Sequence, residues 1–193
     1  MKKNKGIIVL ATTALLMFGS ARASDESVER LTQLMKGIST ATTEADKDRE
    51  ASNDVDSLFY LAKNSPFNVE ALTDALIRLK TVGFRSNYLK PLVYGVAHFG
   101  GNSNALHQAA FTVQESVTRR TLSMEDMKQL DEAIPSASKL MARALGLSMA
   151  DMDKQISRGS VKSKEAVFLM LSDMEIEFFG EAIKWRTASQ STN

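Results

Sequence analysis

The side chains best suited to chemistry in this sequence begin with its two histidines, His98 and His107, which flank a Gly100-Gly101 pair. A zinc site of the His-Glu-x-x-His type needs two histidines on one helical face with a glutamate between them, and the sequence lacks that pattern. Neither histidine lies in a recognisable nucleophile motif, where it would serve as a general base. We therefore interpret both as structural or surface residues and predict no metal site.

Acidic side chains form two clusters along the sequence: Glu125, Asp126, Asp131 and Glu132, then Asp173, Glu175 and Glu177. Paired carboxylates can hydrolyse glycosides. Glu125 and Asp126, however, fall in the first turn of a predicted helix, where negative charge stabilises the helix dipole. We interpret both clusters as helix caps and solvated faces, and we predict that the protein is not an enzyme.

A glycine-rich turn, Phe99-Gly100-Gly101-Asn102, could expose backbone amides to a phosphate group. The phosphate-binding loop of nucleotide-binding proteins also requires a preceding strand and a lysine after its last glycine, and both are missing. The pattern favours a turn that leads into a helix, so we predict no cofactor.

The composition narrows the class of protein. The chain has 193 residues, a formal net charge of +1 and no cysteine. This length suits one domain with a small appendage. A nucleic-acid-binding domain would carry a basic excess, so we predict no nucleic-acid partner. The lack of cysteine excludes disulfides, thiolate zinc sites and a cysteine nucleophile, and it is compatible with a reducing or an oxidising compartment.

Two copies of a Leu-Ser-Met-x-Asp-Met unit, Leu122–Met127 and Leu147–Met152, mark helix starts. In each copy the serine, Ser123 or Ser148, can accept a hydrogen bond from the amide three residues later. The aspartate of the unit can reach back to the amide of the serine. Each unit therefore predicts a capped helix.

Further helix boundaries are marked by prolines and glycines: Pro135 suits a first helical turn and Gly146 a left-handed helix end. We expect Ser163 to cap the last core helix. Apolar residues recur at helical spacing between these boundaries, and no alternating pattern is long enough for a sheet. The sequence predicts an all-α fold, a compact orthogonal bundle of about seven short helices preceded by an apolar N-terminal segment. The predicted structural caps and turns are Pro66, Gly83, Gly100, Gly101, Ser123, Pro135, Gly146, Ser148 and Gly159.

Methionine is frequent, and seven of the ten methionines cluster within residues 124–174: Met124, Met127, Met141, Met149, Met152, Met170 and Met174. We interpret them as adaptable core residues for small helices that meet at irregular angles. The alternative is a pliant face that binds a partner protein.

Residues 1–23 have the layout of a secretory signal, with three lysines, the uncharged stretch Gly6–Gly19 and then Ala21-Arg22-Ala23. The uncharged stretch is shorter than the roughly 20 residues that a membrane-spanning helix needs. We predict a signal-like or hydrophobic helix over 1–23, a polar helix or linker over 24–55, a helical domain over 56–182 and a disordered tail over 183–193.

The motifs of the helical domain resemble those of the N-terminal domain of phage tail tape measure proteins. In that family a Ser-Met-Glu-like helix start leads to Gln-Leu-x-Glu-Ala-x-Pro, a short helix, a Gly-Val-Ser-like second cap and a glycine before Val or Ile. The chain departs at Thr118–Thr121, where the family more often has glycine and lysine, which leaves the conformation of this loop open. The matching positions are Ser123-Met124-Glu125, Gln129-Leu130, Glu132–Pro135, Gly146-Leu147-Ser148 and Gly159-Ser160-Val161, with Ser65-Pro66-Phe67, Leu79–Gly83, Gly100–Asn102 and Gln114 upstream.

The resemblance implies a non-enzymatic part of a phage tail that contributes to tail assembly and tail length determination through protein docking. Its partners would be tail tube, tail tip or tail chaperone proteins, and its location the virion tail or the host cytoplasm during assembly. A single helix of all 193 residues would span only about 290 Å at 1.5 Å per residue. The predicted helices are interrupted repeatedly, so the chain cannot itself set the length of a tail. We expect it to be at most the head domain of the protein that does.

Residues 1–23 suggest an alternative, a small exported helical binding protein of the bacterial envelope that is periplasmic after signal cleavage at Ala23. The sequence also leaves open self-association and membrane contact through residues 6–19.

Overall fold

The computed structural model describes the backbone of residues 25–190 and the side chains of residues 26–178. Within these limits the chain is helical, without a β-strand, and the predicted all-α fold is confirmed. A 3-10 turn, Ser86–Tyr88, lies between α3 and α4. The helices are α1 (Asp25–Gly37), α2 (Glu44–Lys63), α3 (Val69–Thr81), α4 (Leu89–His98), α5 (Ser103–Arg119), α6 (Met124–Ala133), α7 (Ala137–Ala144), α8 (Met149–Ser157) and α9 (Ser163–Gln190).

The predicted number and length of the helices are wrong. Nine helices form in the described range rather than about seven, because the polar segment 24–55 is largely helical. Leu31 and Met35 lie one turn apart on α1 and are buried, so two apolar residues give this polar helix an inner face. The helices are not all short either, since α9 has 28 residues. The predicted apolar segment 1–23 lies outside the described residues.

The chain divides into two compact units between Leu61 and Ala62. In the first unit, Lys36 near the end of α1 pairs with Asp48 at 2.5 Å and with Glu44 at 3.3 Å, both on α2. The hydrogen bond to Asp48 is the main cause that raises the pKa of Lys36. Hydrogen bonds to Lys47 and Lys36 lower the pKa of Glu44. These exposed pairs connect the two helices of the unit.

In the second unit, α3 and α5 run in the same direction. Asp74 of α3 bonds to His107 of α5, and one turn later Arg78 bonds to Gln114, each at 2.8 Å. The inner faces of both helices are buried and mainly apolar, which makes this pair a large part of the core. Among residues 25–190, no helix has both the length and the hydrophobicity needed to cross a bilayer.

Helix α9 packs along α4, also in the same direction. The ring of Tyr88, just before α4, lies 5.3 Å from the ring of Phe168, and His98 at the end of α4 lies 4.6 Å from the ring of Phe178. Midway between these contacts, a Cβ atom placed on Gly95 would lie 1.9 Å from the terminal methyl carbon of Met174. The missing side chain at Gly95 therefore permits the close approach of α9 to α4.

Candidate functional site

The first Leu-Ser-Met-x-Asp-Met unit forms a capping box at the start of α6. The Ser123 hydroxyl accepts a hydrogen bond from the Asp126 amide at 3.2 Å, and the Asp126 carboxylate accepts one from the Ser123 amide at 2.8 Å. Asp126 is only 3% exposed, and Arg119 at the end of α5 donates a hydrogen bond to it. This bond is the main cause that raises the pKa of the Arg119 guanidinium. The box therefore joins α5 to α6 as well as capping α6.

The second unit, at the start of α8, forms the serine half of this cap, without the predicted bond from the serine amide to the aspartate. The Ser148 hydroxyl accepts from the Asp151 amide at 3.1 Å and donates to the Asp151 carboxylate at 2.7 Å. Both side chains are exposed. The two copies therefore share their local sequence but differ in burial and in the bond between the serine amide and the aspartate carboxylate.

The predicted turn residues occupy helix boundaries. Pro66 precedes α3, Gly83 follows it, Gly100 and Gly101 separate α4 from α5, and Gly159 follows α8. Gly146 adopts φ +67° after α7, where its amide donates to the Arg143 carbonyl at 2.9 Å and stops the helix. Pro135 lies in the turn before α7 rather than in the first turn of that helix, because the left-handed Ser136 (φ +77°) comes between them.

The loop that departs from the family pattern, Thr118–Thr121, has a defined conformation. Arg120 adopts φ +74°, a left-handed conformation that glycine takes without strain. The Arg120 carbonyl accepts from the Ser163 amide at 3.1 Å. The expectation that Ser163 caps α9 is wrong, since its buried hydroxyl has no hydrogen-bond partner in the described structure. The backbone of Ser163, rather than its side chain, connects the start of α9 to this loop.

We expect Ser123→Ala and Ser148→Ala each to lower the free energy of unfolding by about 1 kcal/mol, because each removes the oxygen that satisfies a first-turn amide. Glu125→Gln is the control, since Glu125 is exposed and accepts a hydrogen bond from the neighbouring Gln129 at 3.2 Å. Urea denaturation followed by circular dichroism measures all three. Equal, negligible changes would show that neither serine stabilises its helix.

The two histidines have different surroundings. His107 Nδ1 lies 2.8 Å from the Asp74 carboxylate oxygen that also accepts from Arg78 Nε at 2.8 Å. His98 packs against the rings of Phe99 and Phe178. Each histidine thus takes part in a structural contact, one polar and one aromatic.

The acidic clusters also stabilise local structure. The Asp131 carboxylate accepts from the Ser138 amide at 2.8 Å, near the start of α7. Asp173 and Glu177 of α9 both pair with Arg143 of α7, and these hydrogen bonds raise the pKa of Arg143. Within the described part of the chain, no three His, Asp or Glu side chains are grouped as a metal site would require.

Solvent-exposed apolar side chains are the remaining candidates for function. Five of the seven clustered methionines are buried, in agreement with a core role, while Met124 and Met149 are 47% and 40% exposed. The exposure of Phe168, Leu169 and Ile176 on α9 is not predicted from the sequence. The sequence of α9 has apolar residues on two sides of the helix, but this pattern does not say which side is covered. The large exposed apolar residues are Tyr60, Phe99, Phe111, Met124, Met149, Phe168, Leu169 and Ile176.

Comparison with known protein families gives a match over residues 19–192 to the family described as tape measure protein. No curated protein and no solved structure matches the chain. The matched range contains all of the described helices. The resemblance seen in the capped-helix motifs is therefore confirmed. The chain belongs to the tape measure protein family, whose members are structural components of phage tails.

Proposed function

We propose that this protein is a docking module of a phage tail, which contributes to tail assembly and to the determination of tail length by binding other tail proteins. The family match over residues 19–192 carries this proposal. The longest described helix, α9, has 28 residues and is about 42 Å long at 1.5 Å per residue. Such short elements suit a folded head domain, with a longer helical chain elsewhere acting as the length template.

The surface supports binding rather than chemistry. Apolar side chains are exposed on several helices of the second unit, including Phe111 on α5, Met124 on α6 and Met149 on α8. The free energy falls when a partner covers exposed apolar groups, because these groups then leave water. Methionine suits such a surface because its flexible thioether adapts to the shape of the partner. Tail tube, tail tip and tail chaperone proteins are the partners that we propose.

We expect deletion of the gene from the phage genome to abolish normal tails, and complementation with the wild-type chain to restore them. A chain with Met124→Ser and Met149→Ser should restore fewer complete tails, because it has lost two exposed apolar contacts but no core residue. Glu125→Gln is the matched control, an exposed neighbour of Met124 that should restore tails fully. Electron microscopy gives tail number and length. Normal tails after the deletion would rule out a role in tail assembly.

The location of the product is a second measurement in the same experiment. We propose that Met1–Ala23 remain attached and that the chain is found with virions and in the cytoplasm. N-terminal sequencing of the chain produced in the bacterial host tests this. A periplasmic product that begins at Ser24 would instead support an exported helical binding protein.

A further inference from the structure

The segments that lead into α6 and α9 are joined by two backbone hydrogen bonds. The Leu122 amide donates to the Val161 carbonyl at 3.0 Å, and the Ser163 amide donates to the Arg120 carbonyl at 3.1 Å. The two bonds frame an isolated antiparallel bridge between the α5–α6 loop and the end of the α8–α9 loop. We call this contact the α6–α9 joint.

One side of the joint has a strained backbone. Arg120 adopts φ +74°, a conformation in which the Cβ atom of a non-glycine residue is crowded by the backbone. Its carbonyl accepts the Ser163 amide in this conformation. The closed joint therefore holds Arg120 in a backbone state that the residue would otherwise rarely adopt.

The other side of the joint has a buried polar group without a partner. The Ser163 side chain is fully buried, and its hydroxyl has no hydrogen-bond partner in the described structure. A hydroxyl that leaves water without gaining a hydrogen bond raises the free energy of the folded state. Two unfavourable features thus meet at the single bond between Ser163 and Arg120, and opening of the joint relieves both.

Apolar burial keeps the joint closed in the absence of other forces. Leu122 and Val161, which share the second bond, are both buried. The capping box of α6 does not depend on the joint, because its bonds run between Ser123, Asp126 and Arg119. The joint can therefore open while α6 and its contact with α5 remain in place.

We propose that the α6–α9 joint is a conformational device, which opens while the rest of the second unit stays folded. Backbone strain and unpaired buried groups lower the cost of opening at this place, and such features are typical of segments that change between two states. The open state uncovers Leu122, Val161 and the Ser163 hydroxyl. A protein that binds these groups would shift the chain toward the open state.

Amide hydrogen exchange of the full chain, followed by NMR, tests the proposal. The reporters are the amides of Leu122 and Ser163, which donate the two bonds of the joint. We expect both to exchange at least tenfold faster than the amides of Leu76 and Val113 on the buried faces of α3 and α5, after correction for intrinsic rates. Equal protection of all four would show that the joint opens only when the chain unfolds, and would overturn the proposal.

Two variants remove the two unfavourable features separately. Arg120→Gly should slow exchange of both reporters about fivefold, because glycine adopts the left-handed conformation without strain. Ser163→Ala should also slow exchange of the Leu122 reporter, because it removes the buried hydroxyl. Unchanged exchange in Arg120→Gly, or faster exchange in Ser163→Ala, would show that the closed joint is not under strain and would overturn the proposal.

Ser136→Gly is the matched control. Ser136, before α7, is the other non-glycine residue with a left-handed backbone (φ +77°) among those described. It lies outside the joint, so its replacement should slow exchange of the core amides and leave the two reporters unchanged. Slower exchange of the reporters in this variant would mean that they exchange through unfolding of the whole unit, against the proposal. The tail-assembly experiment is independent of these results.

Discussion

Replacing Gly95 by leucine should lower the free energy of unfolding by about 3 kcal/mol, because the new side chain has no space between α4 and α9. A Cβ atom at this position would already lie 1.9 Å from the Met174 methyl carbon and 3.8 Å from the Phe178 ring. Both neighbours are buried and cannot move into solvent without losing their own packing. Guanidinium denaturation followed by circular dichroism gives the change in stability.

Smaller and matched substitutions separate crowding from other effects. Gly95→Ala should change stability by less than about 1 kcal/mol, because the gain in helix propensity offsets a shift of the flexible Met174 end. Gly37→Leu is the control for glycine replacement, since nothing lies within 4 Å of a Cβ atom at Gly37. Adding Met174→Ala to Gly95→Leu should cost at least about 1 kcal/mol less than the sum of the two single changes. Strict additivity would contradict the close approach of α9 to α4.

The features that the sequence predicts well are those encoded within a few residues. A serine three positions before an aspartate defines a helix start almost alone, and both Ser123 and Ser148 lie at such starts in the structure. Gly146 likewise ends α7, with its amide bonded to the Arg143 carbonyl of the preceding turn. Local hydrogen bonds of this kind depend little on the rest of the fold.

The features that the sequence does not predict depend on contacts between distant segments. Gly95 looks like an unfavourable residue inside a helix until α9 is placed against it. Serine is a typical helix cap, yet the Ser163 amide donates to the Arg120 carbonyl. The Ser163 hydroxyl has no hydrogen-bond partner in the described structure. The exposure of Phe168, Leu169 and Ile176 on α9 could not be predicted, because periodicity alone does not say which of two apolar faces is covered.

Removal of the Asp126 carboxylate should be the most damaging change to any single cap. We expect Asp126→Ala to lower the free energy of unfolding by about 3 kcal/mol, since it leaves the Ser123 amide without its acceptor and Arg119 without its partner in a largely buried site. Asp126→Asn should cost less, because the amide oxygen can still accept one hydrogen bond. Urea denaturation measures both variants.

The repeated unit provides the control within the same chain. Asp151 occupies the same place in the second unit and accepts from the Ser148 hydroxyl, but without the bond from the serine amide that completes the first capping box. Asp151 is also exposed, so water can replace its bonds. Asp151→Ala should therefore cost only about 0.5 kcal/mol. The difference between the two variants measures what burial, Arg119 and the bond from the Ser123 amide add to the same sequence motif. If Asp126→Ala and Asp151→Ala cost the same, then the first unit acts only as a local cap and does not join α5 to α6.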